Sequence, residues 1–161
     1  VVANDGKYGY DTTKNEIRLS ILRSAIYADH VGERDEFCEF MEQGIHECSY
    51  MIYPYESNAV SDKRAEELNF PLRSVTDSFH NGILPLKKNF FKCENQDVIV
   101  TSIKKSEDSD DTVIRFYEAN GNDTKVELQL FDKNIKCDVG HNGIKTYNTK
   151  GESMNFIENI L

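Results

Sequence analysis

The sequence predicts an all-β fold: an antiparallel β-sandwich with short helical segments in its connections. Three observations carry that reading. Apolar and polar residues alternate with a period of two in one run after another, the pattern of a half-buried strand. The runs succeed each other at roughly ten-residue spacing through short polar turns, as in sandwiches. A β/α fold would need crossover helices between them.

The elements follow in order. Glu16–Arg23 places Ile17, Leu19 and Ile21 on one face and Arg18, Ser20 and Leu22 on the other, so one face is expected in the core. Cys48–Tyr53 repeats the pattern, with Cys48, Tyr50 and Ile52 opposing Ser49, Met51 and Tyr53. Between these runs, Glu33–Gln43 has Phe37, Phe40 and Met41 at helical spacing and Gly44 as a stop. A brief helix and a long loop both fit there. Ser61–Leu68 reads as a short helix capped by Ser61 and ended before Pro71. Ser78–Leu86 then mixes breakers with isolated apolar residues, and a boundary is expected near Gly82–Lys88. It divides the chain into a sandwich segment over 1–86 and a smaller one over 87–161.

The second segment is the more regular. Asp97–Lys104 sets Val98 and Val100 against Ile99 and Ile103. Thr112–Ala119, Thr124–Phe131 and Asn134–Val139 alternate likewise around Ile114 and Phe116, Val126, Leu128 and Leu130, and Ile135, Cys137 and Val139. Asn120-Gly121 accepts the positive φ of a tight hairpin. Ser106–Asp111 lacks the glycine and closing Glu of an EF-hand and reads as a solvated hairpin tip.

Composition narrows the function classes. In 161 residues, 19 Lys+Arg face 28 Asp+Glu, for a net charge of -9, with 39% hydrophobic residues. That length suits one domain or two small ones, and burial of roughly 68–70% of the unfolded surface makes disulfides unnecessary. Before position 86 there are 8 basic and 15 acidic residues, and after it 11 and 13. Neither part offers the basic face a nucleic-acid binder needs. No apolar run reaches the roughly 18 residues of a membrane span, and no charged n-region with an apolar stretch opens the chain. Cys38, Cys48, Cys93 and Cys137 form no CxxC and read as reduced residues of a cytoplasmic protein. The opening Val1-Val2-Ala3, without Met, is expected of a piece cut from a longer chain.

No catalytic constellation stands out. There is no GxSxG elbow, P-loop or GxGxxG, and the spacing of Cys38, His46 and Cys48 does not close a tetrahedral zinc site. Two segments differ from ordinary scaffold. Asn4–Asp11 packs two glycines, two tyrosines, two aspartates, Asn4 and Lys7 into eight positions before the first clear strand. Such a loop fits either a sugar grip, rings against C–H groups and carboxylates accepting hydroxyl hydrogens, or a tight turn with its tyrosines packed inward. Arg34–Glu47 is again polar and aromatic, and a solvated insertion accounts for it equally well.

These segments carry a resemblance. Asn4-Asp-Gly-Lys-Tyr-Gly-Tyr-Asp11, then Ile17-Arg-Leu-Ser-Ile-Leu-Arg-Ser24, Glu42-Gln-Gly-Ile-His-Glu47 and Tyr50-Met-Ile-Tyr-Pro54 resemble, in that order, the C-terminal region of glycoside hydrolase family 38 α-mannosidases of the cytosolic and bacterial branch. Glu67-Leu-Asn-Phe-Pro-Leu72 is similar to the next short segment of that family. Val98–Asp108 and Ile114–Ala119 are similar to runs of its final β-sandwich. Cys48, Tyr55 and the closing Met154–Leu161 depart from the pattern.

The resemblance implies a retaining α-mannosidase that hydrolyses terminal α-D-mannosyl residues. Its catalytic domain, N-terminal in the same chain, supplies the nucleophile and the ligands of an active-site zinc. No catalytic or metal-binding residue carries over to this stretch. Its partners are then that catalytic domain and a mannosyl-containing carbohydrate, with no nucleic acid and no membrane. Asp5, Lys7, Tyr8, Asp11, His46 and Glu47 become the candidates for facing the sugar cleft, or for holding the interface between domains. A stand-alone carbohydrate-binding module and a structural or oligomerisation domain are the alternatives.

Overall fold

A computed structural model describes residues 1–26 and 40–161. The described strands are β1 (Val2–Asn4), β2 (Tyr10–Thr13), β3 (Glu16–Leu19) and β4 (Tyr50–Ile52), followed by the helix α1 (Asn58–Asn69). Then come β5 (Phe91–Cys93), β6 (Val98–Lys105), β7 (Thr112–Glu118), β8 (Thr124–Leu130), β9 (Lys133–Val139), β10 (Ile144–Asn148) and β11 (Ser153–Met154). All ladders between them are antiparallel. The expected all-β architecture with a short helix in a connection is what the chain adopts.

The sandwich lies in the C-terminal part. A four-stranded sheet in the order β11-β10-β7-β6 faces a three-stranded sheet in the order β5-β8-β9. The alternation read from the sequence supplies the interior: Val98, Ile114 and Phe116 from one sheet meet Val126, Leu128, Leu130, Ile135 and Val139 from the other. Phe116 is fully buried and stacks on Tyr147, with ring centroids 6.2 Å apart. On the outer face of the four-stranded sheet, Ile99, Ala119 and Tyr117 receive Ala59 of α1. The order of layers is therefore helix, sheet, sheet.

Several local expectations change in three dimensions. A β-bulge falls between Val100 and Ser102, so Ile103 pairs with Ile114 while Val100 pairs with Phe116. The extra residue reverses the alternation, and Ile103 joins the face of Val98 and Val100 instead of that of Ile99. Asn120-Gly121 does not close a hairpin. Gly121 takes the positive φ the dipeptide signals, but β7 and β8 belong to different sheets, so this turn is a corner between layers. Ser106–Asp111 does close one: Ser106 N donates to the Asp111 carbonyl at 2.8 Å between the paired β6 and β7.

The helix forms where its pattern was read but begins earlier. Ser57, in extended conformation, is the N-cap, and its Oγ accepts from Val60 N at 3.2 Å. Ser61 lies one turn inside instead, and its Oγ is buried without a partner among the described residues. The Asn120 side chain adds a second cap, accepting from Ala59 N at 3.0 Å while its Nδ2 donates to Asp97 Oδ1 at 2.6 Å. One asparagine thus ties helix, corner and the start of β6.

Glu118 holds the same corner. Only 1% exposed, its carboxylate accepts from Asn120 N at 2.7 Å, Gly121 N at 2.8 Å and Asn142 N at 2.9 Å, and also from the backbone of Asn122. Burial on its own pushes this carboxyl up, but the four N–H donors together outweigh it and hold it below the usual range. At the far end of the chain, Glu158 accepts from Lys104 Nζ at 2.7 Å and Glu107 N at 2.9 Å, and Arg115 caps the Phe156 ring at 4.2 Å. These contacts lash the last residues to the sandwich.

The N-terminal part is built differently. β1 pairs only with β4 and β2 only with β3 among the described strands. Ile17, Ile21 and Leu22, read as part of a run with one core face, are instead exposed. No described layer covers the β2–β3 ribbon. The helix-or-loop question at Glu33–Gln43 and the state of Cys38 fall wholly or partly on residues 27–39, outside the described residues. Of the described positions there, Phe40 bridges to Ile26 and Glu42 has a positive φ.

Candidate functional site

The two singled-out segments meet because β1 pairs with β4. Asn4 stands opposite Tyr50, so the loop leaving β1 runs beside the turn entering β4. Asp5 fixes the join: its Oδ2 accepts from Ser49 N at 2.8 Å, and its own N–H donates to the Ser49 carbonyl at 3.2 Å. Within the loop, Asn4 Oδ1 accepts from Gly6 N at 3.0 Å and Lys7 N at 2.5 Å. That short polar side chain folds the turn which sends Lys7 and Tyr8 outward. Gly9 permits the next step, since a Cβ there would stand 2.9 Å from the Ser20 side chain while its carbonyl accepts from Ser20 N.

An open cavity of about 380 Å³ results, with Asn4, Lys7, Tyr8, Tyr10, Thr12 and Ile17 among the residues lining it. Tyr8 is 91% exposed and Tyr10 73%, so two phenol rings stand free beside an ammonium and an amide. Exposed ring faces next to hydrogen-bonding groups suit a ligand that is apolar on one side and hydroxylated on the other.

The six sequence candidates do not converge on this cavity. Lys7 and Tyr8 line it. Asp5 is occupied with the Ser49 backbone. Asp11 does not lie in a loop but in β2, where it faces Arg18 at 3.5 Å. His46 turns to Glu42, its Nε2 2.9 Å from the Glu42 carbonyl and its Nδ1 3.6 Å from the Glu42 carboxylate. Glu47 is exposed in the adjacent turn. Asn4, Tyr10, Thr12 and Ile17 were not foreseen. The available signal is the period-two run Tyr10, Thr12, which the turn-forming Gly, Asp and Asn residues before it mask.

No group of three His, Cys, Asp or Glu among the described residues is arranged to hold a metal. Zinc therefore does not fit the described residues of this chain. Cys48, Cys93 and Cys137 are free thiols, and burial raises the Cys137 thiol above its ordinary value.

Comparison with known proteins places these features. The model of the "Glycosyl hydrolases family 38 C-terminal beta sandwich domain" matches residues 97–160, the stretch that runs from the start of β6 past β11. The chain is 29% identical over 167 residues to α-mannosidase G of Dictyostelium discoideum, covering 98% of this chain and 14% of that protein. It is 31% identical over 129 residues to an α-mannosidase of Saccharomyces cerevisiae, covering 76% of this chain and 10% of that protein. The chain thus spans a small fraction of the length of the curated relatives it matches. No solved structure matches it. The family domain falls on β6 to β11 of the sandwich, and with α-mannosidase relatives along most of the chain it supports reading this stretch as a C-terminal region of a glycosyl hydrolase family 38 mannosidase.

Proposed function

We propose that the chain is the accessory, non-catalytic C-terminal region of an α-mannosidase that hydrolyses terminal α-D-mannosyl residues in mannosides. The observation that carries this reading is similarity to an α-mannosidase along 98% of the chain. A retaining mechanism, in which one carboxylate attacks the anomeric carbon and a second acts as acid and then base, belongs to the catalytic domain of the same polypeptide. So does zinc, for which the described residues here provide no ligand set.

Within that frame, the cavity beside β2 walls the sugar cleft. Lys7 and Tyr8 meet the substrate, joined by Tyr10, which lines the same cavity. Asp5 and His46 act as positioning residues, one pinning the loop to Ser49 and the other shaping the turn through Glu42. Asp11 and Glu47 flank them and contribute charge.

The full-length enzyme assayed on an aryl α-mannoside tests both levels. Tyr8→Ala is expected to raise KM about three- to tenfold, the loss of one ring face against the sugar, with kcat little changed. Asp5→Ala and His46→Ala are expected to lower activity by misplacing Lys7 and Tyr8. Unchanged specific activity and KM in all three would discard the cleft, and no activity in the unmodified enzyme would discard the mannosidase.

A further inference from the structure

The sandwich has one broad face that neither its own packing nor the cavity beside β2 uses. Along β5, β8 and β9 the inward residues alternate with exposed ones, and the exposed set forms the outer face of the three-stranded sheet. Cross-strand register arranges it in rows. Lys92, Gln129 and Asn134 lie side by side, Glu127 stands opposite Lys136 in the next row, and Lys125 stands opposite Asp138 in the one after. Open cavities of about 410 and 400 Å³ lie over these rows.

Antiparallel sheets commonly turn a polar face to water, but this one has three features that solvation alone does not require. It is neutral, with Lys92, Lys125 and Lys136 matched by Glu94, Glu127 and Asp138 in a chain of net charge -9. Two of these pairs are closed, Lys92 Nζ on Glu94 Oε1 at 2.6 Å and Lys136 Nζ on Glu127 Oε1 at 2.9 Å. The face also carries two amides with bonding capacity to spare. Among the described residues the Asn134 side chain has no partner, and Gln129 commits only its Nε2, which donates to the Phe131 carbonyl at 3.1 Å. Asn95 at the rim is held instead, its Nδ2 donating to Thr124 Oγ1 and the Lys125 carbonyl while its Oδ1 accepts from Asp97 N. Beyond Gln129 the rows end on an aromatic pair. Phe90 and Phe131 meet edge to face with ring centroids 6.1 Å apart, and they remain 45% and 44% exposed.

We propose that this face is a second saccharide site, which takes a neutral α-mannoside chain laid along the sheet. Sugar C–H faces rest on Phe90 and Phe131, and hydroxyl groups, which both donate and accept, are met by the amides and the ion pairs. A polyanion or polycation gains nothing from a face without net charge. An apolar partner would strip water from six charged groups without replacing their hydrogen bonds. A neutral, hydroxylated ligand follows from the face itself. The choice of mannose rests on the reading of the chain as part of an α-mannosidase.

The experiment runs the full-length enzyme by native electrophoresis through gels containing soluble α-mannan, with heparin gels as the polyanion control. The wild type should be retarded by mannan and not by heparin. Phe131→Ala, and separately the double variant Gln129→Ala with Asn134→Ala, should each weaken the apparent mannan Kd about fivefold, the loss of one ring face or of two hydrogen-bonding groups. Thermal unfolding and turnover of an aryl α-mannoside should stay at wild-type values, and if Phe131→Ala unfolds early the amide variant decides. A wild type that mannan does not retard, retardation that the amide variant leaves intact, its loss in Tyr8→Ala alone, or equal retardation by heparin would each overturn the site. The two readings fail separately. An active enzyme whose retardation ignores these residues overturns this inference alone, and an enzyme retarded through them but inactive on the aryl α-mannoside overturns only the mannosidase reading.

Discussion

Replacing Glu118 by glutamine changes a single atom at the corner that joins the two sheets, and the expected consequence is large. Both carboxylate oxygens are in use, one by Asn120 N and the other by Gly121 N and Asn142 N. A glutamine carbonyl can replace only one of them, so its NH2 must face a backbone N–H. Leaving such a donor unpaired costs about 1–3 kcal/mol, and the remaining bonds fall from charge-assisted to neutral strength. The total is about 3 kcal/mol, or a fall in Tm of roughly 6–12 °C for a chain of this length. Thermal unfolding followed by far-UV circular dichroism, or by fluorescence of the eight tyrosines in the absence of tryptophan, reads it directly.

The pH dependence gives an independent check. The Glu118 carboxyl is held below its unfolded value, so its contribution is fully present above the unfolded pKa and is lost as pH falls through the folded one. Glutamine does not titrate. The gap between wild type and Glu118→Gln should therefore be constant from pH 7 to about 5 and narrow below about 4. A variant that melts within about 1 °C of wild type at pH 7 would refute the reasoning, as would a gap that persists to acid pH.

Three other substitutions bear on the packing. Phe116→Ala empties the centre of the sandwich and should cost about 3–5 kcal/mol, measured by denaturant unfolding. Tyr117 donates to Asp62 Oδ2 at 2.6 Å, and burial followed by that bond pushes its phenol well above the ordinary tyrosine range. Its share of stability is thus present below the unfolded pKa and lost only as pH rises through the folded one. Burial raises the Tyr147 phenol as well, so spectrophotometric titration should find two tyrosines still protonated when exposed ones have ionised, and Tyr117→Phe should remove one of them from that late phase. Asn120→Ala should cost about 1–2 kcal/mol and raise exchange at Ala59 N more than at β8 amides, since it unfastens α1 before the second sheet.

The candidate site was legible in outline. The density of Gly, Tyr, Asp and Asn over residues 4–11 marked a shaped turn, because those residue types make tight polar loops wherever they occur together. That Lys7 and Tyr8 face the cavity while Asp5 serves Ser49 was not legible, because it depends on which strand lies beside β1. Residues 4 and 50 are distant in sequence, and nothing local at either end encodes their pairing.

Local sequence determined the period-two alternation of β6 to β9, the helix ending before Pro71, the solvated tip at 106–111 and the positive φ at Gly121. Each follows from side-chain volume, hydrophobicity or backbone sterics within a few residues. The tertiary structure alone decided that the turn at Asn120-Gly121 separates two sheets, that a bulge returns Ile103 to the inner face and that Ser57 rather than Ser61 caps α1. Among the described residues it also left the face of Ile17 without a covering layer. Alternation states that a strand has an apolar side, whereas what meets that side is fixed by hydrogen-bond ladders and layers drawn from distant parts of the polypeptide.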